Sequence, residues 1–306
     1  VDSRRPKSAT PDLGPMPRRI TVDAPQVRAL LSEQFPDWAG LPVRPVAESG
    51  WDNRTFRIGG DMVARLPSAA EYALAVDKEQ RWLPLLAPRL PVPIPVPLAK
   101  GCPGAGYPFE WSVYRWLDGE PASPARISDP VRFALDLAGF LAALRTIDTT
   151  GGPRPGKHNW FRGATLRTYD EQTERALAEL DGDIDTGQAR EIWKTALDSP
   201  WDGTDRWFHG DFAPGNLLLD GGGLAAVIDF GTCGVGDPSC DLAIAWTSLT
   251  ADGRRAFRER LPVDDSEWER GRGWALWKAL ITRARTRDRV DEEAVNARRV
   301  LAAIAE

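Results

Sequence analysis

A chain of 306 residues, 42% hydrophobic and 27% charged, is long enough to bury the core of two lobes or domains. Its net charge of −5 argues against a general nucleic-acid binder; no apolar run reaches membrane-spanning length, and no charged start leads into an apolar signal core. Cys102, Cys233 and Cys240 show no metal spacing and leave one thiol over in any disulfide scheme, which fits a reducing cytoplasm.

Residues 1–17 are rich in Pro, Arg and Ser without periodicity and read as a disordered tail, with Met16 a natural start and leader sequence before it. A helix is expected from Thr21 or Asp23 to Phe35, with Pro25 in its first turn, Pro36 as its stop, and Val27, Leu30, Leu31 and Phe35 on one face. Strand patterns follow at 43–47, 55–58 and 62–66, separated by Glu48-Ser49-Gly50-Trp51-Asp52-Asn53 and by Gly59-Gly60-Asp61, which predicts antiparallel hairpins. Next comes a helix over 70–83 containing Glu79, and then a run with Pro88, Pro91, Pro93, Pro95 and Pro97 that is extended or an edge strand at best. Residues 109–117, FEWSVYRWL, read as one more strand.

From Asp118-Gly119 onward the pattern is mostly helical. Ser128 or Asp129 caps a helix whose stripe of Val131, Ala134, Leu137, Ala138, Leu141 and Leu144 reaches Ile147. A Gly/Pro loop leads to His158-Asn159-Trp160-Phe161-Arg162-Gly163, and a helix is expected over 166–180. Segment 181–205 carries seven acidic residues against Arg190 and Lys194; it reads as a solvated face, or as an acidic rim that attracts a polyamine. Further helices are predicted over 240–249, 254–260, 266–285 and 291–305, with Trp246, Trp268, Trp274 and Trp277 as core, one or two of them free to line a pocket.

The chemistry is concentrated in 207–242, WFHGDFAPGNLLLDGGGLAAVIDFGTCGVGDPSCDL. Strands at 216–219 and 224–228 joined by Asp220-Gly221-Gly222-Gly223 form a strong hairpin signal. The hairpin sets Asn216 beside Asp229, with Asp211 five residues upstream of the amide. One carboxylate to accept a hydroxyl proton, with an Asn and a second Asp to hold Mg²⁺ on nucleotide phosphates, is what phosphoryl transfer needs. Taken singly, an Asp beside a Gly is usually a turn residue. Order and hairpin context together favour the chemistry.

These motifs resemble the H-R-D-x-x-x-x-N and D-F-G pair of protein kinases, with Gly210 in the Arg position. His209-Gly210-Asp211 followed by GDPSCDLA is similar to the aminoglycoside phosphotransferase family, which includes macrolide kinases and other small-molecule kinases. The resemblance implies an α+β, two-lobed protein-kinase-like fold: a nucleotide-binding lobe over 18–117 with an antiparallel sheet, and a catalytic, substrate-binding helical lobe over 118–306. It also implies Asp211 as base, Asn216 and Asp229 as Mg²⁺ ligands, His209 as a loop-orienting residue and Asp241 as a buried acceptor for the catalytic loop. In the small lobe it assigns Ser49 and Asn53 to the phosphate-covering turn and Tyr114, Arg115, Trp116 and Leu117 to a nucleotide-binding hinge. Arg65, paired with Glu79, stands where relatives carry Lys; its planar fork can bridge a carboxylate and phosphates, or else it forms an ordinary surface pair.

The expected protein is a cytoplasmic, non-membrane enzyme, monomer or homodimer, that uses ATP or GTP to phosphorylate a hydroxyl of an aminoglycoside or macrolide, a cationic antibiotic being one candidate acceptor. A metabolic kinase of choline, homoserine or fructosamine type is the second reading, and a nucleotide-binding pseudokinase the third. A protein kinase fits less well because no A-P-E segment follows DFG.

Overall fold

The computed structural model describes residues 13–46 and 50–306, so Ser49 and residues 1–12 lie outside the described residues. Asp23 caps α1 (Ala24–Gln34) by accepting from the Gln26 N–H at 2.8 Å, and α1 buries Val27, Leu30 and Leu31. Leu13 packs against the larger core and the Ile20 N–H donates to Ser68 O at 2.7 Å, so the last residues of the expected tail reach onto the fold.

Strands β1 (Val43–Pro45), β2 (Asn53–Ile58) and β3 (Met62–Pro67) form the successive hairpins. The expected helix over 70–83 is a single turn, α2 (Ala70–Ala73), and then α3 (Val76–Leu86). Strands β4 (Pro97–Gly101) and β5 (Trp111–Arg115) complete an antiparallel five-stranded sheet in the order β1-β2-β3-β5-β4. The proline-bearing strand β4 takes an edge, where a missing N–H costs no ladder bond. Phe56, Ile58, Trp111 and Val113 close one face of the sheet against α1.

The helical part begins with β6 (Glu120–Pro121) and α4 (Pro130–Arg145), whose cap Asp129 accepts from the Val131 and Arg132 N–H groups at 3.0 Å each. It continues through α5 (Asp170–Glu179), α6 (Thr186–Asp198), β7 (Arg206–Phe208), β8 (Leu217–Asp220), β9 (Gly223–Val227) and β10 (Gly234–Gly236). It ends with α7 (Ile244–Thr247), α8 (Ala251–Arg260), α9 (Asp265–Arg285) and α10 (Glu292–Ala305). Helix α9 packs against α5, α6 and α10 and buries residues around most of its circumference, which makes it the axis of this half.

Six of the seven acids of segment 181–205 are exposed, as a solvated face requires, and the segment also holds a helix not anticipated, α6, whose Ala189, Trp193 and Ala196 are buried on one face. Its acids are largely spoken for: Asp183 pairs with Arg283 at 2.6 Å, Asp205 with Arg154 at 2.5 Å and Asp202 with Arg206 at 3.2 Å, while Asp185 caps α6. The short pairings β6 with β8 and β7 with β10 were also not anticipated, being two or three residues long.

Candidate active site

Strands β8 and β9 pair from Leu217↔Val227 to Asp220↔Gly223. Gly221 and Gly222, at φ of 55° and 84°, occupy the two central turn positions that favour glycine. At the open end the Ile228 N–H donates to Asn216 O at 2.9 Å, which holds the start of one loop against the start of the other.

The loop of Asp211 is held from below by Asp241. This buried carboxylate accepts the His209 and Gly210 N–H groups at 2.8 Å each; burial raises its pKa, against the pull of those donors and His209. His209, also buried, contacts Ile228 O at 3.0 Å through Nε2 and receives the Asp211 N–H on Nδ1 at 3.3 Å, the pattern of a neutral, orienting imidazole. Gly210 sits at φ +85° and a Cβ there would lie 2.5 Å from Thr232 O, which accounts for glycine in place of the kinase arginine. Gly210→Ala is therefore expected to destabilise the fold by more than about 2 kcal/mol and to displace the loop. Chemical denaturation with a wild-type midpoint and slope would contradict that.

Asn216 Nδ2 donates to Asp211 O at 2.9 Å and to Asp211 Oδ2 at 3.1 Å. Its amide oxygen accepts no hydrogen bond among the described residues. Asp229 adopts a left-handed conformation (φ 65°, ψ 68°) and leads a 3₁₀ turn, Phe230–Thr232, with Phe230 buried against His209. Arg65 Nη2 donates to Asp229 Oδ1 at 2.6 Å, leaving Oδ2 without a protein partner among the described residues. One amide oxygen and one carboxylate oxygen are a hard, sparse donor set. That suits Mg²⁺, which takes one or two protein ligands and fills its shell with phosphate and water. No cluster of three or more His, Cys, Asp or Glu among the described residues offers an all-protein cage instead.

Arg65 lies on β3 and its Nη1 is 3.7 Å from Glu79 Oε1 on α3, as expected; Tyr114 OH donates to the other oxygen of Glu79. Burial works against the guanidinium charge, but Asp229 and Glu79 more than compensate and hold its pKa above the ordinary value. Tyr114, assigned to the hinge, is 1% exposed inside β5, and its hydroxyl positions Glu79. Arg115 is exposed at the strand end, the Trp116 N–H donates to Asp61 O at 2.7 Å, and the Trp116 ring lies 4.0 Å from the Arg57 guanidinium. Leu117, part-buried, follows, and Asn53 opens β2 opposite Pro67.

Four charged residues escaped the sequence reading. Buried Lys78, beside Glu79, donates to Gly231 O at 2.6 Å and Cys233 O at 3.0 Å, clamping the turn after Asp229; burial lowers its pKa. Asp52, adjacent to Asn53, has its carboxyl pushed up to about 7 by burial and by Asp229. Lys278 of α9 places Nζ 2.7 Å from Asp211 Oδ1. Although burial works to raise the Asp211 carboxyl, Lys278 holds it down at about 2, so the carboxylate is ionised. Arg162, from the noted HNWFRG loop, donates Nε to Gly210 O at 3.1 Å. The only local signal for Lys278 was a lone cation in the apolar run WALWKAL.

Asp211 opens onto a cavity of about 270 Å³ walled by Phe212, Trp274, Trp277, Val300, Arg162 and Lys278 among others. Two of the four tryptophans thus line a pocket, while Trp246 and Trp268 pack on each other at 4.7 Å. No acid of segment 181–205 lines this cavity.

The family model described as "Phosphotransferase enzyme family" (APH) matches residues 43–274. Among solved structures the chain is similar to the GDP complex of wild-type aminoglycoside 2'-phosphotransferase-IIIa, with 20% identity, a TM-score of 0.67, and 93% of this chain and 99% of that one covered. The GDP and kanamycin complex of APH(2")-IIIa gives 22%, 0.68, 89% and 97%. Macrolide 2'-phosphotransferase MphH from Brachybacterium faecium gives 22%, 0.58, 92% and 98%. At such identities the likeness is one of fold, and it is the two-lobed kinase-like fold. No curated protein matches.

Proposed function

This chain belongs to the phosphotransferase enzyme family, and from that premise we propose that it transfers the γ-phosphate of ATP or GTP to a hydroxyl of a small molecule bound in the cavity beside Asp211. The observation that carries the reading is the meeting of Asp211, Asn216 and Asp229 at the open end of one hairpin, with Arg65 on Asp229. In this reading the division into a nucleotide-binding and a catalytic lobe falls between Leu117 and Asp118.

Asp211 accepts the hydroxyl proton as the acceptor oxygen forms its bond to the γ-phosphorus and the bond to the β-phosphate oxygen breaks, releasing the nucleoside diphosphate. Asn216 and Asp229 would hold Mg²⁺, which when bound would neutralise phosphate charge. Arg65, steadied by Glu79 and through it by Tyr114, presents its guanidinium to the phosphates. A cytoplasmic site of action fits nucleotide use and the three free cysteines.

The acceptor reading suggested by the solved relatives is an antibiotic of aminoglycoside or macrolide type. A metabolic acceptor is favoured by a specific observation: the carboxylates of the cavity wall, Asp211 and Glu293, are both paired with cations, where a polyamine would call for unpaired ones, and the wall also carries Arg162. Turnover against a panel of antibiotics and metabolites, with both nucleotides and with Mg²⁺ titrated, tests the whole. Failure of every acceptor alongside intact Mg²⁺-dependent nucleotide binding would point to the pseudokinase.

Arg65 supplies a sharper check. Arg65→Ala is expected to raise the KM for nucleotide and lower kcat together, roughly tenfold or more in kcat/KM, because a charge-assisted donor pair is lost from phosphates and from buried Glu79. Arg65→Lys, the residue relatives use, retains most activity. An alanine variant with unaltered kinetics would reduce Arg65 to a structural partner of Asp229.

A further inference from the structure

The cavity beside Asp211 has an unbalanced charge. Lys278 is neutralised by Asp211, and Glu293 on the cavity wall is neutralised by Arg285 and by Arg289 at 3.3 Å. The hydrogen-bond partners of Arg162 are all neutral: Nε donates to Gly210 O at 3.1 Å, Nη1 donates to Tyr169 OH, and the guanidinium faces Trp277 at 4.8 Å and Trp274 at 5.3 Å. It forms no ion pair among the described residues. Its loop is held in an unfavourable shape, since Trp160 and Phe161 both take left-handed backbone angles, φ 53° and 58°. Bulky residues rarely adopt such angles unless the surroundings impose them. The hydrogen bonds of Phe161 N to Gly156 O at 2.9 Å and Arg162 N to Asn159 O at 3.0 Å impose them here.

The position of these cations matters as much as their number. Both line the acceptor cavity, whereas the oxygens assigned to Mg²⁺, on Asn216 and Asp229, do not appear in its wall. An acceptor hydroxyl that takes its place on Asp211 comes beside Lys278 Nζ, which lies 2.7 Å from Oδ1. The acceptor then meets an ammonium and a planar guanidinium close to its reacting oxygen, and an aromatic and aliphatic wall beyond them. A polyamine is repelled by Arg162, which no carboxylate pairs among the described residues; a carboxylate is matched by it, bidentately, with the Lys278 ammonium beside it. The cavity, at about 270 Å³, falls just below the roughly 300–1,000 Å³ range of ligand pockets and suits a one-ring molecule.

Resting on the small-molecule kinase reading, we infer that the acceptor is a small hydroxy compound bearing an anionic group near the phosphorylated hydroxyl, bound by Arg162 and Lys278. The test is calorimetry on the full chain, with and without Mg²⁺ and a non-hydrolysable nucleotide, using benzoate and benzylammonium as ring probes of opposite charge. Benzoate is expected to bind at least about tenfold more tightly, and Arg162→Met and Lys278→Met each to weaken benzoate about tenfold while thermal midpoints and nucleotide binding stay near wild type. Arg162→Lys, which keeps the charge, retains part of the affinity. The inference is overturned if benzoate does not bind, if benzylammonium binds as well or better, or if Arg162→Met leaves benzoate affinity unchanged. Efficient phosphorylation of kanamycin would also overturn it while upholding the kinase reading. Loss of the kinase reading has a different signature: no Mg²⁺-dependent nucleotide binding, whichever probe the cavity prefers.

Discussion

Asp211→Asn is expected to lower kcat by about 10²–10⁴-fold, the range attributed to a positioned general base, with nucleotide affinity changed only a few-fold. The substitution keeps volume and leaves an oxygen to accept from Asn216 Nδ2, now 3.1 Å from Oδ2, so the hairpin end has no reason to move. What it removes is the negative charge, which in the proposed reaction accepts the proton, and with it the partner of Lys278. The latter loss matters little for stability, because Lys278 is 45% exposed on its side chain and water can take over its solvation. Steady-state kinetics beside nucleotide calorimetry and a thermal melt separate the cases. Near wild-type turnover would remove Asp211 from the base role, and a lowered melt with lost nucleotide binding would make it structural.

The site was legible in the sequence as far as its parts lie close in the chain. The Asp220-Gly221-Gly222-Gly223 turn, the caps Asp23 and Asp129, and the two carboxylate motifs are local signals: the turn joins β8 to β9, both caps accept from their helices, and the motifs meet at the open end of the hairpin. Asp241 was identified through the family resemblance, and the geometry shows why a carboxylate is needed: two loop N–H groups have no other acceptor. The cavity was not legible. Arg162 reaches Gly210 across 48 positions and Lys278 reaches Asp211 across 67, on a loop and a helix whose local patterns report only turn chemistry and core packing. The helix α6 was legible in principle, from the Asp185 cap and the spacing of Ala189, Trp193 and Ala196, and was overlooked because the segment was read by its charge. The contact of Tyr114 with Glu79 was not legible either, because a strand leading to a hinge and a strand burying a hydroxyl against a carboxylate have the same alternation.

Removing the carboxylate of Asp229 is expected to have the largest effect on nucleotide binding: at least about 100-fold weaker affinity in the presence of Mg²⁺, with most of the Mg²⁺ dependence gone. Two consequences of the geometry shape the experiment. Asp229 Oδ1 is 2.6 Å from Arg65, so the substitution frees a guanidinium whose attraction for a phosphate 4 Å away is about 4 kcal/mol at an effective dielectric near 20. Metal-free nucleotide binding can therefore persist or even improve, and the dependence on Mg²⁺, rather than affinity alone, is the quantity to read. Asp229 also sits at φ 65°, where Asp and Asn are tolerated and Ala is strained by about 1–2 kcal/mol. Asp229→Asn is thus the cleaner variant, keeping backbone preference and volume while removing the charge, and Asp229→Ala measures the added cost of the strain. Calorimetric titrations of ATP and GTP at several Mg²⁺ concentrations decide the matter: both variants should show curves that converge across the Mg²⁺ series, whereas wild-type spacing between those curves would place the metal on other oxygens and leave Asp229 as a tether for Arg65.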